Sequence, residues 1–277
     1  MKRSALHTAA LLALPMALVL GFFVVPLLHA VGISFGLPDF TLRQYQRLVD
    51  VPVYRAVFLK TLTVAAVTTV VCLALGYPTA YFISRLGDRA RAIAITLVAL
   101  PFMLSVLVRN YVWMTVLQDT GLANRMLRSL GLIEAPLRLM YNELGVLIAM
   151  VNMLIPYVLF PVLTALLAIP PELKTASASL GAGRFRTFLR VTLPLTAAGT
   201  AAGCLLTFIV ALGFYITPAM LGGPTQMMIS SLIAFNVREV LNWPFAFSLA
   251  TTLLASTIVL YLAYRAMAPR GAVMRAV

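Results

Sequence analysis

Six stretches of the chain are apolar for about twenty residues or more, and no other feature narrows the fold as far. They cover residues 9–31, 62–83, 92–117, 146–168, 191–215 and 247–266. A helix rises 1.5 Å per residue, so about 20 apolar residues cross a hydrocarbon core of roughly 30 Å. A helix also satisfies its own backbone N–H and C=O groups, which lipid cannot do. The expectation is an all-α polytopic membrane protein with six transmembrane helices. Composition agrees: 62% of the 277 residues are hydrophobic, 10% are charged, and the mean hydropathy is +0.99. A soluble domain stands nearer half apolar and a quarter charged. The first run follows Lys2 and Arg3, as a secretory signal would, but it holds Pro15 and Pro26 and lacks a clean small-x-small cleavage site. It reads as a span.

Lysine and arginine orient such a bundle, because they accumulate in short cytoplasmic loops. With the N-terminus inside, the inner segments carry twelve basic residues against two acids, Asp88 and Glu172, while the outer segments carry eight against six. Both termini are therefore expected in the cytoplasm. The net charge of +13 reads as topology and calls for no nucleic-acid partner. Cys72 and Cys204 sit inside apolar runs as small buried hydrophobes, and His7 and His29 form no cluster. No disulfide framework or metal-ligand spacing is present.

One inner segment, KTASASLGAGRFRTFLRVTLPL at 174–195, interrupts the apolar sequence. Pro170 and Pro171 suit a helix start, and Glu172 favours the positive end of the dipole. A short helix over 173–180 follows, with Leu173, Ala176 and Leu180 on one face. Gly181 fits the left-handed position past its end. A new helix starts near Arg184 and enters the fifth span, where Pro194 kinks it or loosens its backbone. Taken on this chemistry alone, the segment is either an ordinary interfacial helix with snorkelling arginines or a small-residue surface that another protein approaches closely.

The spacing resembles the cytoplasmic signature of ABC-importer permeases. That signature runs Glu-Ala-Ala, three residues, Gly, nine residues, Ile, one residue, Leu-Pro. Here it reads Thr175-Ala176-Ser177, three residues, Gly181, nine residues, Val191, Thr192, Leu193-Pro194. Ala176, Gly181, Leu193 and Pro194 match in identity; Thr175 replaces the leading glutamate and Ser177 the second alanine. LPFMLSVLVRNYVW (100–113), YNELGVLIAMVNMLIPYVLFPV (141–162) and GFYITPAMLGGP (213–224) look like the spermidine/putrescine group of these permeases.

The resemblance implies a type I ABC importer permease (MetI-like) fold in a bacterial inner membrane. It divides the chain into an N-terminal segment with the first span (1–61), a permease core with a coupling helix near 172–184 (62–267), and a cytoplasmic tail (268–277). The implied partners are a second permease, commonly in a heterodimer, two ATP-binding cassette ATPases and an extracytoplasmic solute-binding protein. ATP and magnesium would sit on the ATPase, with no cofactor on this chain. Glu172, Thr175, Ala176, Ser177, Gly181, Leu193 and Pro194 would couple it to the ATPase. The implied cargo is a polyamine or a related small solute. The chain has no Gly-x-x-x-x-Gly-Lys-Ser/Thr motif, so ATP hydrolysis falls to another polypeptide.

Polar residues within the apolar runs are candidates for the translocation path or a gate: Arg109, Asn110, Tyr111, Trp113, Asn152, Tyr157 and Tyr215. Arg109 is the one formal charge there away from the very end of a run, where Arg265 stands in the sixth. Placed near the outer end of a straight third span, it either snorkels to the interface or makes a gate or packing contact, as its place in the family motif implies. Asn152, Tyr157 and Tyr215 either line a path or bond a neighbouring helix. Tyrosines or Trp113 offer cation–π contacts to a polyamine. Gly199 and Gly203 fit close helix approach, at a permease–permease interface or within the chain. Gly222, Gly223 and Pro224 demand a turn, and an outer helix over 227–241 either docks the binding protein or seals the outer mouth. The competing class is an ion-coupled secondary transporter or channel. It is disfavoured because no carboxylate lies deep in a span. An intramembrane enzyme has no catalytic dyad or metal cluster to support it.

Overall fold

The computed structural model describes residue 13 and residues 15–223 and 226–267. The tail at 268–277, the basic Lys2 and Arg3, and Pro224 of the expected outer turn lie outside the described residues. Every regular element among the described residues is helical.

Five helices are long and apolar enough to cross a membrane: α1 (Pro15–Ser34), α3 (Pro52–Ser84), α7 (Glu143–Leu167), α9 (Arg184–Leu212) and α11 (Trp243–Met267). Between them lie α2 (Arg43–Asp50), α4 (Asp88–Met103), α5 (Val106–Leu117), α6 (Leu122–Ser129), α8 (Pro171–Ser179) and α10 (Ile229–Arg238). Counting α4 with the limb Val106–Ser129 as one crossing gives the six expected spans.

That pair corrects the expectation of a straight third span. The chain bends by 96° between the two limbs. Proline at 101 forces the end of α4 into a 3₁₀ turn, Leu100–Met103. Leu104 and Ser105 are then extended, and a new helix starts at Val106. Hydropathy counts apolar residues but does not register direction, so the bend was invisible to it.

Two other prolines act differently. The π-helical turns Leu20–Val24 and Phe188–Thr192 each end two residues before a proline, Pro26 and Pro194. A proline ring crowds the carbonyl four residues earlier and supplies no N–H to it. Widening the preceding turn accommodates both effects without breaking the span. Pro194 thus loosens the backbone, one of the two outcomes expected from the sequence.

The chain divides into two compact units, residues 1–56 with 232–255 and residues 57–231 with 256–277. In the first, Ser34 Oγ lies 2.7 Å from Tyr45 Oη on α2, and Thr251 Oγ1 donates to Ser34 Oγ at 3.3 Å. Arg47 donates to Tyr54 Oη at 3.2 Å, and its guanidinium lies 4.8 Å from the centre of the Phe245 ring. The lipid-length window of α1 has none of its residues buried by the rest of the chain.

In the second unit, α7 is the core helix. Its window is 56% buried, against 33% or less for the other long helices. Gly199 and Gly203 of α9 face it: a Cβ on Gly199 would lie 2.7 Å from Ala165 Cβ and 3.0 Å from the Pro161 carbonyl oxygen. A Cβ on Gly203 would lie 3.2 Å from Val158 Cα. Both glycines thus meet α7 of the same chain. Asn142 caps α7, accepting a bond from the Gly145 N–H at 2.8 Å. Asn142→Ala is expected to lower stability by about 1 kcal/mol, read as a lower melting temperature of the purified protein.

Candidate functional site: the coupling helix and a polar cluster in the spans

The inner segment folds as the sequence indicated. Pro171 opens α8, and Glu172 sits exposed in its first turn. Ser179 ends it, one residue earlier than expected. The cap is a complete Schellman motif: the Ala182 N–H donates to the Ser177 carbonyl at 3.1 Å, and the Gly181 N–H to the Ala178 carbonyl at 2.9 Å. Gly181 takes φ +76°, the left-handed region that disfavours a side chain.

The motif residues divide into three sets. Thr175 and Ala176 are exposed on α8, and Thr175 Oγ1 donates to the Pro171 carbonyl at 3.3 Å. Ser177 faces inward; its Oγ lies 2.9 Å from Thr187 Oγ1, tying α8 to the start of α9. Leu193 and Pro194 lie directly beyond the π-helical turn, at the start of the regular part of the span, which they shape. The Ser177–Thr187 link was missed, because nothing in the sequence pairs residues across a glycine break.

Above Thr187, Phe188 packs edge-on against Tyr81 and Tyr77, at centroid distances of 5.3 and 6.0 Å. Tyr77 Oη lies 2.8 Å from Thr196 Oγ1. These contacts carry the position of α8's anchor into α3 and α9, two spans of the same unit.

The polar candidates separate in a similar way. Trp113 Nε1 donates to Asn152 Oδ1 at 3.1 Å, joining α5 to α7. Phe102, in the 3₁₀ turn, packs 5.6 Å from Tyr157, and the Arg109 guanidinium lies 5.4 Å from the Phe102 centroid. The bend therefore places Arg109 in the second turn of a new limb, over an aromatic pair, rather than at the outer end of a straight span. Two of its nitrogens, Nε and Nη1, are buried with no acceptor among the described residues. Asn110 is fully buried; its Nδ2 donates to the Val106 carbonyl at 2.9 Å, while Oδ1 has no donor among the described residues. Tyr111 is exposed and stands apart. Tyr215 lies past the end of α9, in the non-helical link before the π-helical turn Pro218–Gly222, not on a span as expected. Phe102 was missed as the ring that gathers Arg109 and Tyr157.

Past the π-helical turn Pro218–Gly222, Gly223 turns the chain with φ +65°, and α10 covers Ile229–Arg238, a core of the expected 227–241 helix. Lys60 pairs with Glu143 at 3.8 Å at the starts of α3's apolar stretch and α7.

The chain matches a known family of membrane proteins. The model of the binding-protein-dependent transport system inner membrane component matches residues 72–272. The chain belongs to this family. It is 34% identical over 240 residues to the spermidine/putrescine transport system permease protein PotB of Salmonella typhimurium (strain SL1344), covering 84% of this chain and 83% of the relative. PotB of Escherichia coli (strain K12) gives the same identity, with 84% and 87% covered. A solved bacterial alginate ABC transporter, in complex with an alginate pentasaccharide-bound periplasmic protein, superposes with TM-score 0.76 at 20% identity, covering 98% of this chain and 96% of that one. The permease therefore has the ABC importer permease (MetI-like) fold. It is a multi-pass inner-membrane transport subunit, and its relatives are transport permeases rather than enzymes.

Proposed function

We propose that this permease is one half of the membrane channel of an ATP-driven importer for polyamines or a related small solute. Its termini face the cytoplasm, a second permease completes the path, and two ATPase subunits bind ATP and magnesium below it. A solute-binding protein delivers cargo from outside. The observation that carries the ATP-driven reading is α8, a short exposed helix closed by Gly181 and bonded through Ser177 to the start of a span. Such a helix transmits movement of a docked ATPase into α9 because its link to Thr187 is a direct hydrogen bond. Thr175 cannot form the ion pair available to a glutamate, so docking relies on shape and on Glu172 one turn earlier.

The polyamine assignment rests on likeness to PotB over most of both chains. The fold alone does not select a solute: a bacterial ABC transporter of the same fold is involved in the import of the acidic polysaccharide alginate. No carboxylate lies deep in the described spans, so selectivity falls mainly to the binding protein. Within the path, Trp113 and Tyr157 offer aromatic faces to a cation, and Arg109 already occupies the face of Phe102.

Reconstitution with the ATPase, the second permease and the binding protein is expected to give uptake of spermidine or putrescine that requires ATP. Uptake by this chain alone, driven by an ion gradient, would overturn the importer reading. Calorimetry of the binding protein against polyamines and other small solutes names the cargo.

A further inference from the structure

Behind α8 two arginines converge on one cavity that no acid neutralises. The cavity has a volume of about 180 Å³ and is lined by Tyr81, Arg85, Arg184, Thr187 and Thr192, with Ala178 on the side of α8. Neither Arg85 nor Arg184 pairs with a carboxylate among the described residues, whereas nearby Asp88 is taken by Arg91 at 3.3 Å. Two like charges on residues lining one space repel each other, and an anion between them reverses the sign of that interaction. Arg85 is held in place: its guanidinium lies 4.3 Å from the centre of the Tyr81 ring and donates to Tyr81 Oη. Tyr81 is in turn braced by Phe188. A guanidinium fork matches the geometry of phosphate oxygens.

We propose that this cavity binds a phosphate oxyanion, supplied by the headgroup of an anionic phospholipid of the cytoplasmic leaflet. Arg85 follows the last residue of α3, and Arg184 begins α9, so both stand at the ends of spans where headgroups lie. This rests on the orientation proposed above. A bound headgroup bridges α3 to α9, and the Ser177–Thr187 hydrogen bond extends that bridge to α8. The coupling helix is thereby stiffened by lipid, and ATPase coupling depends on the anionic lipid content of the membrane.

The test uses the importer purified with its partner subunits, delipidated in detergent and titrated with phosphatidylglycerol or phosphatidylcholine. Native mass spectrometry counts the lipids kept on this chain. Wild type is expected to retain phosphatidylglycerol preferentially. The double variant Arg85→Gln/Arg184→Gln loses that preference by roughly tenfold or more. Arg85→Lys/Arg184→Lys keeps the charge but not the fork and falls between. Arg265→Gln, at an inner basic residue outside the cavity, retains lipid as wild type does. Unchanged retention in the Gln double variant overturns the site. Inorganic phosphate that binds wild type and displaces phosphatidylglycerol at equal concentration overturns the lipid source in favour of a free anion. Loss of ATPase co-purification with retention unchanged overturns it in favour of an acidic ATPase surface. Lipid retention needs no transport, so its failure is distinct from failure of the importer reading.

Discussion

Gly199→Leu is expected to abolish the folded permease, seen as loss of the monodisperse peak in size-exclusion chromatography of detergent extracts. A Cβ at this position would already lie 2.7 Å from Ala165 Cβ and 3.0 Å from the Pro161 carbonyl oxygen. The obstacle is largely backbone, and α7 is the most buried of the long helices, so it has nowhere to retreat. Forcing a leucine into a packed contact costs about 1–3 kcal/mol or more. Lipid offers little compensation, because helices in a bilayer associate through close packing rather than through a hydrophobic drive. Gly203→Leu is expected to act in the same direction with a smaller effect, since its Cβ would start 3.2 Å from Val158 Cα. Gly87→Ala, where nothing lies within 4 Å, is the control and should elute as wild type. A normal peak for Gly199→Leu would show that the α7–α9 contact does not hold the bundle together.

The second large effect is functional. Gly181→Asp is expected to weaken ATPase docking and ATP-dependent uptake while membrane insertion stays intact. Nothing lies within 4 Å of the added Cβ, so the cost is confined to the backbone at φ +76°. An L-residue in that conformation costs roughly 1–2 kcal/mol, which reduces the closed cap by about five- to thirtyfold. The Schellman bonds from Ala182 and Gly181 then open, and α8 loses its fixed angle to Thr187. Gly181→Asn should be milder, because asparagine visits the left-handed region more readily. Pull-down of the ATPase at wild-type levels by the aspartate variant would count against α8 as the docking element.

The two arguments differ in how far the sequence carried them. The coupling segment is local: proline, a short small-residue run and glycine at fixed spacing dictate a helix, its cap and its restart within 22 residues, and the structure follows at nearly every step. The six apolar runs are also local, because helix formation in lipid depends only on the segment's own backbone bonds. The glycine pair on α9 is different. Its spacing shows that something packs closely there, but an internal helix and a second subunit would leave the same imprint.

The same distinction holds for the polar residues. Arg109, Trp113, Asn152 and Tyr157 were visible as exceptions in apolar sequence, whereas their partners were not. Phe102 gathers Arg109 and Tyr157 only because the chain turns by 96° beside it. Tyr215 left its expected helix because α9 ends at Leu212.

The sequence by itself determined the helical class, the apolar segments long enough to cross a membrane and the capped helix between the fourth and fifth runs. Each depends on hydrogen bonding or transfer free energy within one segment. Only the tertiary structure decided the bend in the third crossing, the face that Gly199 and Gly203 pack against, and the pairing of Arg85 with Arg184 around a common cavity. Those depend on which segments meet, and contacts between residues distant in sequence leave no periodic trace in the chain.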